Sequence, residues 1–250
     1  MSFPEIAVPL PNASPRRPTY YGVEIGILML DTYFERFVGD IGNARTWPFP
    51  VQYKVVRGAS PEKVTNLTQH DLIGAFKQAA DELIAEGCAG ITTTCGFLSL
   101  YQDDLTAHCS VPVATSALLQ VPMVARVLPK GKRPGILTFS RESLTRPFLE
   151  KAGVDPATPV FGMPAGSEFQ RSIREGDVSV SFDTLRGEVI DVAEAMLRSD
   201  PTIGAIVCEC TNLTPYAHLL HRRLGVPVFD MVTLVHWFHR GLRPERFDQD

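Results

Sequence analysis

Several common signatures are missing from this 250-residue sequence, and each absence removes a class of function. No G-x-G-x-x-G follows the first apolar run, Val23–Leu30, which argues against a dinucleotide-binding enzyme. No G-x-S-x-G is present, which argues against a serine hydrolase of the α/β type. There is no C-x-x-C pair. Cys208-x-Cys210 with His218 and His221 downstream does not have the usual zinc spacing, so no metal is expected and the two histidines are assigned to a helix surface. No basic run occurs and the net charge is −4, which argues against nucleic acid as a partner. No apolar stretch is long enough to span a bilayer, and no charged start leads into an apolar core as in a signal peptide. The five cysteines form an odd count without a disulfide-rich spacing. A reducing, cytoplasmic location is therefore the expectation, with thiols either buried or reactive.

What is present is ordinary in bulk and specific in pattern. Apolar residues make up 44% and charged residues 21%, enough for a large core in one α/β domain or two related halves. Residues 1–20 carry Pro4, Pro9, Pro11, Pro15 and Pro18 and read as an extended arm. From there strands alternate with helices. Strands are expected at Val23–Leu30, Gln52–Val56, 88–94, Val111–Thr115, Pro134–Phe139, Pro159–Phe161, Ile203–Cys208 and Val226–Phe229. Helices are expected at Asp71–Glu86, Phe97–His108, Ala117–Leu128, Ser143–Ala152, within 167–198 with a break near Gly176, at Leu213–Leu224 and at Val232–Arg240. The fold class is α/β, with mainly parallel sheets flanked by helices. The aromatic-rich segment 31–50 reads equally as pocket wall, core or dimer surface.

One stretch is repeated. Ala89–Leu98 runs from a β-branched strand into a cysteine, and Gly204–Leu213 does the same. Setting Cys95 on Cys210 places Leu98 on Leu213, Tyr101 on Tyr216 and Leu105 on Leu220 without a gap. Val111-Pro112-Val113 then falls on Val226-Pro227-Val228, and Leu119 on Leu234. Gly135-Ile136-Leu137 likewise echoes Gly26-Ile27-Leu28. The chain is therefore expected to be two pseudo-symmetric halves, 21–116 and 117–231, with the last helix, 232–242, joining the first half.

A strand that runs into a helix places its turn at the carboxyl end of a parallel sheet, where open α/β proteins build their sites. Cys95 and Cys210 sit at such turns, near the positive end of the following helix, an environment that lowers a thiol pKa. Cys88, Cys109 and Cys208 are assigned to packing. Asp31, at the end of the first strand, reads as a site residue or as the cap of the next helix.

The Cys-Gly-Phe and Glu-Cys-Thr-Asn elements, each closing a strand of a duplicated α/β chain, resemble the aspartate/glutamate racemase superfamily. That group includes hydantoin and allantoin racemases, maleate isomerase and arylmalonate decarboxylase. The resemblance runs from about Tyr21 to Leu242 and implies a site in the cleft between the halves. It implies a two-base mechanism without metal or pyridoxal cofactor, an isomerase in which one cysteine removes a proton beside a carboxylate or carbonyl and the other returns one to the opposite face. It also implies a small carboxylate as substrate, most simply an amino acid or derivative, and a homo-oligomer. Donors to the substrate are expected at the backbone N–H groups of Gly96 and Thr211 and at the side chains of Thr94, Ser116, Thr138, Thr211 and Asn212.

Two departures matter. Glutamate racemases carry Asn-Thr after the first cysteine and Thr-His after the second, whereas this chain has Gly96-Phe97 and Thr211-Asn212. Glu209 precedes the second cysteine and, as a carboxylate, would raise its pKa. A hydantoin-type racemase, a maleate-type isomerase and an arylmalonate-type decarboxylase remain alternatives. So does a non-catalytic protein that senses a small carboxylate.

Overall fold

Two four-stranded parallel sheets form the frame, in strand order β2-β1-β3-β4 and β6-β5-β7-β8. The computed structural model describes residues 19–65 and 72–247, so the proposed arm lies outside the described residues up to residue 18. The first sheet is built from β1 (Ile25–Leu30), β2 (Val51–Val56), β3 (Gly90–Thr93) and β4 (Val113–Ala114). The second is built from β5 (Arg133–Thr138), β6 (Val160–Gly162), β7 (Ile203–Cys208) and β8 (Val228–Phe229). The α/β fold and the duplicated sheets match the expectation from sequence.

The sequence explains the arrangement. Strand β1 is an unbroken apolar run because helices cover both faces of its sheet, and five of its six residues are buried. Within the first sheet α2 (Leu72–Ala85) packs on β1 and β2 through its apolar face. The equivalent helix of the second half is α7 (Phe182–Ser199). Each centre strand keeps a glycine beneath its helix. A Cβ on Gly26 would lie 3.0 Å from Leu83, and one on Gly135 would lie 2.1 Å from Met196.

Some strands are shorter than expected. Only Val113–Ala114 of Val111–Thr115 pairs, since Pro112 has no N–H to give a ladder. The helices after both cysteines begin as 3-10 turns, Gly96–Tyr101 and Thr211–Tyr216. They continue as α3 (Gln102–His108) and α8 (Ala217–Leu224). The repeat offset therefore carries one turn onto the other residue for residue.

The halves exchange their last helices. The turn Ala117–Gln120 and α4 (Val121–Val127) rest on β7 and β5 of the second sheet. Helix α9 (Met231–Leu242) lies on β3 and β4 of the first, with Phe238 and Leu242 filling the space that a side chain at Gly90 would occupy. Two more connections face the cleft: α1 (Pro61–Thr65) and α6 (Glu168–Glu175). Helix α5 (Arg146–Lys151) packs on the turn that follows Cys95, with Ser99 donating to the Phe148 carbonyl at 3.0 Å.

Candidate active site

Cys95 and Cys210 line one cavity of about 290 Å³ between the two sheets. Each is the last extended residue before its 3-10 turn, so each sulfur meets the free N–H groups that open a helix. Neither sulfur accepts a capping hydrogen bond, but the nearby N–H groups of Phe97 and Leu98 favour a thiolate at Cys95, and that of Asn212 favours one at Cys210.

The two turns are bonded to each other. The Thr211 hydroxyl donates to the Thr94 carbonyl at 2.8 Å, and the Thr94 hydroxyl accepts from the Leu30 N–H at 3.2 Å. A second set of bonds leads to Cys210 from the 31–50 segment. The Cys210 thiol donates to Asn212 Oδ1 at 3.6 Å, and Asn212 Nδ2 donates to Asp40 Oδ2 at 2.9 Å. Arg36 pairs with Asp40 Oδ1 at 2.7 Å and donates to the Thr32 hydroxyl at 2.9 Å. A buried carboxylate from the first half, 1% exposed, therefore orients the amide beside the second half's thiol.

The electrostatics differ from the sequence expectation that the turns lower the thiol pKa. Burial pushes Cys95 up to about 12, with the Glu209 charge adding to the rise; the Phe97 and Leu98 N–H groups and Arg36 oppose it and are outweighed. Cys210 is raised for the same reasons in the same order, burial before Glu209, against the Asn212 N–H. Glu209 itself is fully buried, and burial lifts its carboxyl to about 7 although the Thr138 hydroxyl favours the ionised form.

Thr94, Cys95, Gly96, Cys210, Thr211 and Asn212 come together at the cavity. Asp31, Ser116 and Thr138 do not line it. Asp31 accepts from the Gly58 N–H at 3.1 Å and faces Arg57 at 3.6 Å, so it ties the end of β1 to the turn after β2. Ser116 is buried and caps the 117–120 turn by accepting from the Leu118 N–H at 3.2 Å. Thr138 donates to Glu209 at 2.5 Å and reaches the cavity only through that carboxyl. His218 and His221 lie on the exposed side of α8.

Other lining residues lie in segments without a periodic pattern. Phe34 and Arg36 come from the 31–50 segment, while Trp47 and Phe49 of that segment turn to α9, where Phe49 stacks on His239 at 3.7 Å. Phe139, Ile173 and Arg174 come from the second half. The Arg174 guanidinium lies 5.3 Å from the centre of the Phe139 ring and makes no ion pair among the described residues. The cavity thus offers an aromatic wall, one unpaired cation and two thiols. No three His, Cys, Asp or Glu side chains are gathered as a metal ion would require among the described residues.

Comparison with known proteins bears on the fold and the family. Dimethylsulfoniopropionate lyase 7 of Emiliania huxleyi is 30% identical over 228 residues, covering 87% of this chain and 67% of that protein. A glycine-to-cysteine mutant of arylmalonate decarboxylase, in a sulfate-associated form, superposes with a TM-score of 0.62 at 20% identity, over 89% of this chain and 97% of that one. Allantoin racemase from Pseudomonas fluorescens gives a TM-score of 0.58 at 16% identity, over 90% and 100%. At these identities the two structures speak for the fold. The family described as Asp/Glu/Hydantoin racemase matches residues 58–238, and the chain belongs to it.

Proposed function

We propose that the cavity is the active site of a cofactor-independent enzyme acting on a carbon acid, with Cys95 and Cys210 as its two proton-transfer groups. The supporting observation is that both cysteines, equivalent by the internal repeat, border the same small cavity. One thiolate takes the proton from the carbon beside a carboxylate. The electron pair moves into the enolate oxygens, and the other thiol delivers its proton to the opposite face. Arg174 is the side chain suited to hold the carboxylate, since no acidic group competes for it among the described residues. Helix-opening N–H groups at both turns favour each thiolate as it forms. The reaction of this reading is racemisation or epimerisation of an amino acid or a derivative of one.

A second reading has specific support. The 30% identical relative is named a dimethylsulfoniopropionate lyase, and its named substrate is a carboxylate with a sulfonium leaving group one carbon further on. The same first step, removal of the proton beside the carboxylate, would here expel the thioether and leave an alkene. Phe34, Phe97 and Phe139 give the cavity an aromatic wall, a surface that attracts a sulfonium cation.

Incubation in deuterium oxide with a panel of amino acids, hydantoins, arylmalonates and dimethylsulfoniopropionate tests both. Deuterium at the α-carbon of both enantiomers supports the racemase. Alkene with thioether supports the lyase, and carbon dioxide a decarboxylase. Tight binding of a carboxylate with no exchange and no product across the panel would return the protein to the class of sensors.

A further inference from the structure

Glu209 is fully buried, and only half of its carboxyl is satisfied. Oε2 accepts from the Thr138 hydroxyl at 2.5 Å, while Oε1 has no hydrogen-bond partner. A buried carboxylate oxygen without a partner is costly, and a proton on the group removes most of that cost. No ion pair reaches Glu209 among the described residues.

The carboxyl is also fitted to the opposite cysteine turn. A Cβ on residue 96 would lie 2.1 Å from Glu209 Oε1 and 2.3 Å from its carbonyl oxygen. The glycine after the first cysteine and the glutamate before the second are therefore one packing unit. Gly96 is also one of the positions at which this chain departs from the glutamate racemase pattern. Glu209 borders the cavity between the thiols without being exposed to it.

We propose that Glu209 is a positioning residue that governs the ionisation of both cysteines: with its proton it permits either thiol to become a thiolate, and without it holds both as thiols. Its charge is the second largest influence on each sulfur after burial, and in both cases it raises the pKa. Burial keeps its own proton in place up to about neutral pH. The other groups that bear on this cluster are few. Arg36 acts on Cys95, Asp40 on Cys210, and Asp230 on Cys208, whereas Thr138 faces the carboxyl from β5 as a neutral donor. Once Glu209 ionises, the cluster's negative charge rests on its carboxylate, and a thiolate forms where the carboxyl holds the proton instead.

The consequence for turnover rests on the proposed proton-transfer chemistry, but thiol ionisation is measurable without any substrate. The test is alkylation by iodoacetamide as a function of pH, read cysteine by cysteine by mass spectrometry, in wild type, Glu209→Gln and Thr138→Val. In E209Q the alkylation midpoints of both Cys95 and Cys210 fall by about one pH unit or more, because a fixed like charge is removed. In T138V the carboxylate loses its hydrogen bond and titrates higher, still well below the thiols, so its charge is present when they ionise and both midpoints stay close to wild type. Cys109, which Glu209 does not influence, is unchanged in either variant. Should E209Q fail to fold, Glu209→Met, which also removes the charge, decides in the same terms. Unchanged midpoints in the variant that lacks the charge, or movement of only one of the two cysteines there, would overturn the proposal. A shift of both in a protein that turns over no carboxylate would leave it standing and remove the proposed reaction instead.

Discussion

The hydroxyl of Thr211 donates to the carbonyl of Thr94 at 2.8 Å, so the residue after one cysteine is bonded directly to the residue before the other. Two turns separated by more than a hundred residues are thereby held in a single arrangement. A buried side-chain hydroxyl on a backbone carbonyl thus ties the two cysteine turns together.

Thr211→Val removes that donor and leaves the buried Thr94 carbonyl unmet. A cost of about 1–3 kcal/mol follows, which lowers Tm by roughly 2–10 °C in a chain of this size. The turns also lose their register, so kcat should fall by more than KM changes. Thermal unfolding with steady-state kinetics checks both, and a variant with wild-type Tm and kcat would show that the bond does not set the geometry.

Gly96→Ala drives a methyl group into the Glu209 side chain and carbonyl. The expected destabilisation is about 1–3 kcal/mol, as for overpacking elsewhere. Part of the clash is with side-chain atoms, so the double variant Gly96→Ala with Glu209→Ala recovers some of it. A coupling of about 0.5–3 kcal/mol should appear in a denaturant double-mutant cycle. Strict additivity would mean that the two residues do not pack as one unit.

Stability should depend on pH through Glu209. Its carboxyl titrates near 7 in the fold against an ordinary value of 4.5, so the native state binds the proton more tightly than the unfolded chain does. The stabilisation linked to that proton is complete below pH 4.5 and is lost as pH rises toward 7. Asp230, raised by burial to about 6, acts in the same sense. Glu209→Gln should therefore gain on wild type between pH 5 and 8, by up to about 3 kcal/mol, and the gain should vanish at pH 4. Urea unfolding at several pH values reads this directly, and a gain of equal size at every pH would contradict it.

Arg174→Met tests the carboxylate anchor. A charged hydrogen bond made equally in ground and transition states contributes to binding alone. KM should rise by about 10–100-fold with kcat little changed. An unchanged KM would place the carboxylate elsewhere, at the helix-opening N–H groups alone.

Much of this was legible in the sequence because duplication leaves an arithmetic trace. The fixed offset from Cys95 to Cys210 carried Leu98, Tyr101 and Leu105 onto their partners, and the structure shows both 3-10 turns at that same spacing. The continuous apolar run of β1 marked a strand buried on both faces. Periodicity could not show which polar residues at strand ends face the cavity. Thr138 and Thr94 both follow buried strand residues, yet one faces the cavity while the other turns its hydroxyl to Glu209. Arg36 and Arg174 lie in segments without periodic pattern, and only tertiary packing brings them to the thiols. Local sequence points to a lowered thiol pKa because it shows helix-end N–H groups, while burial and a neighbouring buried carboxyl, which raise it, come only with the fold.

The most direct test of the two-thiol account is solvent deuterium uptake at the α-carbon of a turned-over carboxylate, measured for wild type, Cys95→Ser and Cys210→Ser. The account expects each serine variant to lose conversion between enantiomers by about 10²–10⁴-fold while binding the same carboxylate within a few-fold of wild type. Full turnover by either variant would contradict it.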